Sequence, residues 1–147
     1  MKITDALMGE HGLFRNLLQS VERLRAESHD LIELRTAAAV LDNALATHSD
    51  IEETIFFPAL ESHIGDAGPL AVMRAEHEEL DRYVSEMRDS EDVDYVKTVL
   101  RDLVALARTH FEKEEAILFP LAEEALGEAK LMELGERWAA ARGVAIA

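Results

Sequence analysis

The sequence predicts an all-α protein, an up-down-up-down four-helix bundle followed by a short C-terminal helix. Three observations carry that expectation. Apolar residues recur at every third or fourth position through nearly the whole chain, the period of amphipathic helices. Only three prolines and seven glycines interrupt 147 residues, so long helices meet few breakers. The helical stretches are joined by short connections, which set consecutive helices side by side.

Leu7, Phe14, Leu17, Leu18, Val21 and Leu24 define a first helix over about residues 4–26. Ser28-His29-Asp30 comes next, a polar turn that offers a cap to the second helix. That helix carries Leu31, Leu34, Ala38, Leu41, Leu45, Ile51 and Ile55. Pro58 is expected to kink it or begin a new turn, and Gly65-Asp66-Ala67-Gly68-Pro69 ends the run. Leu70, Met73, His77, Leu80, Val84 and Met87 form the stripe of a third helix, closed by the turn Asp89-Ser90-Glu91-Asp92. A fourth helix runs through Val96, Val99, Leu103, Leu106, His110, Ile117 and Leu121. After Gly127, residues of about 128–142 read as a short helix with Leu131, Leu134 and Trp138 toward the bundle. The bundle proper then spans about 4–125 within a single domain of residues 1–147.

Composition narrows the chemistry. There is no cysteine, which removes disulfides, thiolate zinc sites and iron–sulfur clusters and leaves nitrogen and oxygen as metal donors. It also fits a reducing cytoplasm, where the protein is expected. No apolar run approaches the roughly 20 residues of a membrane span, and Met1-Lys2-Ile3-Thr4-Asp5 does not open a signal peptide. A net charge of −15, from 30 acidic and 15 basic residues, repels phosphate backbones and argues against a nucleic-acid partner.

One string occurs twice. His48-Ser-Asp-Ile-Glu52-Glu53-Thr-Ile55-Phe56-Phe57-Pro58 returns 62 residues later as His110-Phe-Glu-Lys-Glu114-Glu115-Ala-Ile117-Leu118-Phe119-Pro120. On a helix, a residue four positions on lies only about 40° away, so His48 with Glu52 and His110 with Glu114 share a face. Five positions rotate by about 140°, which makes Glu53 and Glu115 supporting or surface groups, with Glu115 open as a substitute if the helix distorts. A weaker echo links Met8-Gly-Glu10-His11-Gly-Leu13 with Met73-Arg-Ala-Glu76-His77-Glu-Glu-Leu80, so the chain reads as a duplicated hairpin.

His11, His48, His77 and His110 fall one per helix, each on an apolar stripe; His29 and His63 sit near turns or ends and are expected in solvent. His11 lies 17 residues before the turn at residue 28, and His48 lies 17 after residue 31. Both distances come to about 25 Å of helix, so the rings meet at one depth. In the second hairpin His77 is closer to its turn, and a tilt or a longer turn must absorb the difference. Burying four imidazoles and two carboxylates without compensation would cost many kcal/mol, which a bound cation offsets. Imidazole and carboxylate together suit iron, manganese and zinc. The candidate metal ligands are His11, His48, Glu52, His77, His110 and Glu114.

These residues resemble the hemerythrin-like, or HHE cation-binding, family over about residues 5–125. The resemblance rests on His11, His48-x-x-x-Glu52, His77-Glu78 and His110-x-x-x-Glu114, in family order. It implies a four-helix bundle holding two non-haem iron ions, oxo- or hydroxo-bridged, with Glu52 and Glu114 as bridging carboxylates; manganese or a mixed pair suits the same donors. Oxygen-carrying members have a further histidine on the third helix, where this chain has Met73; Asp81 is an alternative oxygen donor there. With four histidines and two glutamates, about two of twelve coordination positions stay open. Phe14, Leu18, Ile55, Val84 and Ile117 are expected around the site, as core packing or as a gas pocket.

The resemblance implies a protein that binds or reacts with dioxygen, nitric oxide or peroxide, in sensing, detoxification or repair of iron centres. An iron store or donor and a simple oxygen carrier are the alternatives. A ferritin-like oxidase is disfavoured, because no histidine here has a glutamate three residues before it.

Overall fold

A computed structural model describes residues 1–145; the last two positions of the expected domain lie outside the described residues. Among these residues every regular element is helical: α1 (Ile3–Glu27), α2 (Leu31–Ile51), α3 (Phe57–Ile64), α4 (Pro69–Asp89), α5 (Val93–Lys113) and α6 (Phe119–Arg142). Two single π-turns, Glu52–Phe56 and Glu114–Leu118, join α2 to α3 and α5 to α6. No helix among them is long and apolar enough to cross a membrane.

The two hairpins start their return helices in the same way. Asp30 caps α2 by accepting from the Ile32 and Glu33 amides at 2.8 and 3.3 Å. Asp92 caps α5 through Asp94 and Tyr95 at 3.0 and 3.2 Å. In each turn the aspartate's own amide donates to the serine two residues back, Ser28 or Ser90. These caps satisfy donors that a helix start leaves open. At the second turn Arg35 of α2 donates to the Met87 carbonyl at 3.3 Å and to that of Ser90, which ties the C-terminal end of α4 to α2.

α1 packs on α2 and α5, and α4 packs on the same two helices. Their buried stripes form two apolar clusters. One, with Phe14, Leu41, Leu80, Leu103 and Phe111, fills the end toward the capped turns. The other, with Leu7, Ile51, Phe56, Met73 and Phe119, also takes in Leu131 and Leu134 of α6. Between them lies a belt of buried histidine and glutamate.

α6 is bent at Gly127, whose φ of 73° only glycine adopts without strain. The arm beyond the bend packs along α1, with Leu131 and Leu134 wholly buried and Trp138 partly so. Gly135 lies so close to the N-terminus that a Cβ there would collide with the Met1 carbonyl.

Each π-turn ends one residue before a residue–proline pair, Phe57-Pro58 or Phe119-Pro120. Proline lacks the N–H and crowds the carbonyl four residues back, so a regular α-helix cannot run through it. The widened turn accommodates this by bonding five residues back, Phe57 N–H to the Glu52 carbonyl and Phe119 N–H to that of Glu114. The two turns are alike, but what covers the side chains beside them is not. Ile117, expected on the interior stripe, is 55 % exposed, and Leu118 is buried instead. Its counterpart Ile55 is buried at 9 % and shares a cluster with the α6 leucines.

Candidate metal centre

The four imidazoles and two carboxylates meet in the belt. His11 and His48 bring their Nε2 atoms to 3.2 Å, and so do His77 and His110. Glu52 stands between the pairs, with Oε1 3.2 Å from His48 Nε2 and Oε2 3.2 Å from His77 Nε2. Glu114 does the same from the opposite helix, with Oε2 3.1 Å from His11 Nε2 and Oε1 3.4 Å from His110 Nε2. Each carboxylate thus gives one oxygen to each pair. Two overlapping quartets result, His11–His48–Glu52–Glu114 and His77–His110–Glu52–Glu114. The predicted six come together, while His29, His63 and Asp81 are not part of either quartet.

Four carboxylate oxygens in this belt, both of Glu52 and both of Glu114, are fully buried and receive no hydrogen bond. Buried polar atoms are otherwise almost always paired, and orphaned ones point to an ion. The donors are two imidazole nitrogens and two carboxylate oxygens per quartet, a set that suits a divalent cation of the iron or manganese type.

The opposite ring nitrogens are all engaged. Nδ1 of His48 donates to Glu10 at 2.6 Å, and Nδ1 of His110 donates to Glu76 at 2.9 Å. Nδ1 of His77 donates to Glu53 and Nδ1 of His11 to Glu115, both at 2.9 Å. An ionised carboxylate only accepts, so each Nδ1 keeps its proton, and Nε2 is the nitrogen left facing inward to meet a cation once the ring is neutral. The outer acids are themselves held: Glu115 by Arg15, Glu53 by Arg74, Glu76 by Lys113, and Glu10 by Trp138 and Arg142. Within each hairpin the acid just before the first histidine serves the second. Across hairpins, the second acid of Glu-Glu serves the other hairpin's histidine.

The electrostatics of the six groups are strained against one another. Burial pulls the His11 imidazole down to about 4, helped by the charge of His48. Burial opposes the charge on His48 as well, but Glu52 and Glu10 outweigh it and push the ring up to about 9. The second pair divides likewise, His110 lowered chiefly by burial and His77 raised by Glu52 and Glu53 against its burial. Burial also opposes ionisation of Glu52, yet the charge of His48 holds it well below the usual range. Burial and the charge of Glu52 push Glu114 well above it. Two carboxylates this close cannot both be charged unless positive charge lies between them.

A family model for the hemerythrin HHE cation-binding domain matches residues 2–122. The chain belongs to that family. No curated protein and no solved structure gave a match. Membership in a cation-binding family accords with the buried histidine–glutamate cluster, whose two quartets have the donors to hold metal. Within this hemerythrin-like domain, sequence reasoning gave no role to Glu10 and Glu76. The signal was present in the repeated Glu-His dipeptide. Trp138 and Arg142 had no such signal, since only the folded position of α6 brings them to Glu10.

Proposed function

We propose that the belt holds two iron ions, one in each quartet, and that the protein binds or reacts with dioxygen, nitric oxide or peroxide there. The observation that carries this reading is the set of four orphaned oxygens. Each carboxylate divides its two oxygens between two histidine pairs, the arrangement of an acid that bridges two cations. His11, His48, His77 and His110 would supply terminal nitrogens, and Glu52 and Glu114 the bridges. Bound iron supplies redox and ligand-binding chemistry that side chains lack. The chain's own part is to fix the donors in an up-down-up-down bundle, keep each Nδ1 protonated through its outer carboxylate, and exclude water with Phe14, Phe57, Phe111 and Phe119. Phe111 stacks on His11 at 4.2 Å between centroids, and Phe57 on His77 at 5.7 Å.

Reaction or sensing is favoured over simple carriage because Met73, buried one turn before His77, occupies the place of a fifth imidazole. A thioether is too soft to substitute for one at ferric iron. Metal analysis of protein purified from its own source, with the visible spectrum before and after azide and oxygen, tests the reading. Two irons per chain and a spectrum that responds are expected. Iron that is present but silent to both ligands would instead indicate a store or donor. Glu52→Ala and Glu114→Ala should each lose at least one metal; two irons retained in both variants would sink the bridging assignment.

A further inference from the structure

The duplication relates two sides of the bundle that end up unlike. On the α1–α2 side, Ile3, Ala6, Leu7, Ile51, Ile55 and Phe56 are all buried, at 9 % exposure or less. The arm of α6 runs along this side: Leu131 and Leu134 join the cluster of Ile3, Leu7 and Ile51, and Ala141 and Arg142 lie beside Ile51. The repeat places Pro69, Val72, Met73, Lys113, Ile117 and Leu118 at the matching positions of α4, α5 and the second π-turn. Among the described residues α6 does not pack on α4 or α5 in this way. Here these six residues line an open pocket of about 320 Å³.

The pocket has an exposed rim and a buried floor. Val72 and Ile117 stand 45 % and 55 % exposed, whereas Met73 and Leu118 are at 3 % and 1 %. Met73 lies one helical turn before His77, and Leu118 four residues after Glu114. The pocket therefore lies between the two helices that carry one histidine pair, next to that pair along the bundle. Lys113 on its edge is held by Glu76, the same acid that accepts from His110. Its surface is formed by apolar atoms, although the chain carries a net charge of −15. A concave apolar surface of this kind takes small apolar solutes.

We propose that this pocket receives a small uncharged diatomic ligand and delivers it to the His77/His110 half of the centre, so that the two halves are functionally unequal. The proposal rests on the gas-binding reading above for its destination, but not for the pocket's affinity. Arm and pocket are complementary: among the described residues the α6 arm closes one side and leaves the other open. Val72 and Ile117 form the opening, and Met73 and Leu118 form the buried floor.

Xenon tests the pocket without any reaction. Protein purified with its metal would be placed under xenon pressure and followed by amide NMR. Perturbations centred on Val72, Met73, Ile117 and Leu118 are expected. Val72→Trp and Ile117→Trp, both at exposed sites, should abolish them while leaving far-ultraviolet dichroism and metal content unchanged. In the same variants, association of nitric oxide with the reduced protein should slow by about tenfold. Xenon bound elsewhere or nowhere overturns the proposal, as do association rates unchanged in both filled variants. So does a doubling of mass that occludes the pocket, which would make it a contact between chains. Xenon in the pocket of a protein that never responds to gas supports the cavity and defeats the gas-binding reading instead.

Discussion

Trp138 donates its indole N–H to Glu10 at 2.9 Å, across 128 positions of chain. Glu10 accepts at the same time from Arg142 at 2.6 Å and from Nδ1 of His48 at 2.6 Å. The other outer acids are held by Arg15, Arg74 and Lys113 from within the bundle. The last helix thus has a direct line to one imidazole of the candidate centre.

Glu10→Gln removes the charge that fixes the His48 tautomer. Metal affinity should fall about 10- to 100-fold, the usual cost of losing a partner behind a metal-bound histidine. Competition with a chelator measures it. Trp138→Phe, which removes one of three donors to Glu10 and keeps the packing, should show a smaller loss in the same assay. Equal affinity in Glu10→Gln and the parent would disprove the link.

Glu114→Gln should separate stability from metal binding. In the metal-free protein Glu114 is a buried acid raised by burial and by the charge of Glu52, so an uncharged isostere relieves repulsion. Thermal melting of metal-free Glu114→Gln should match or exceed the parent, each 1 kcal/mol gained adding about 2–4 °C. The same variant should bind fewer than two metals. A melting temperature several degrees lower would show that the carboxylate stabilises the fold by itself.

Metal uptake should release protons. At neutral pH the metal-free site carries a second proton on the His48 ring, which is pushed up to about 9. It must leave for Nε2 to bind a cation, and Glu114, whose ionisation burial and the charge of Glu52 oppose, must be charged as well. Affinity therefore rises with pH between 7 and 9, roughly tenfold per unit for each proton displaced, and His48 stops contributing once pH exceeds its own value. Calorimetry in two buffers of different ionisation enthalpy counts the protons. An uptake enthalpy independent of buffer would contradict this charge distribution.

Gly135→Ala should loosen the α6 arm. Its added methyl meets the Met1 carbonyl, a backbone atom that cannot swing aside. Overpacking of this kind costs about 1–3 kcal/mol. Hydrogen exchange should show faster opening of residues 128–142 with the belt between α4 and α5 unaffected; unchanged protection would mean the N-terminus yields at no cost.

Much of this molecule was legible in the chain, because burial and period write themselves into sequence. The four long helices arise from apolar spacing, and the meeting of His11, His48, His77 and His110 from their depth on those helices. Ile117 misled for a physical reason. Its counterpart Ile55 lies in an identical π-turn and is buried, because the α6 arm packs on that side, whereas among the described residues no such arm lies over Ile117. Glu53 and Glu115, expected as supporting or surface groups, take the supporting place, at Nδ1 of His77 and His11. The hold of Trp138 and Arg142 on Glu10 depends on the bend at Gly127, a tertiary fact with no local period to reveal it.

The crossed carboxylates have a consequence for how such a chain could arise. Glu53 serves a histidine of the second hairpin, and Glu115 one of the first, while Glu52 and Glu114 each face both pairs. Neither hairpin owns a complete site. Two copies of a single hairpin, associating about a two-fold axis, would complete each other through the same exchange. The present protein has the layout of that dimer fused through Gly65–Gly68. On this view the α6 arm, which among the described residues follows the second repeat and packs on the first, gave two formerly equivalent donor quartets distinct surroundings.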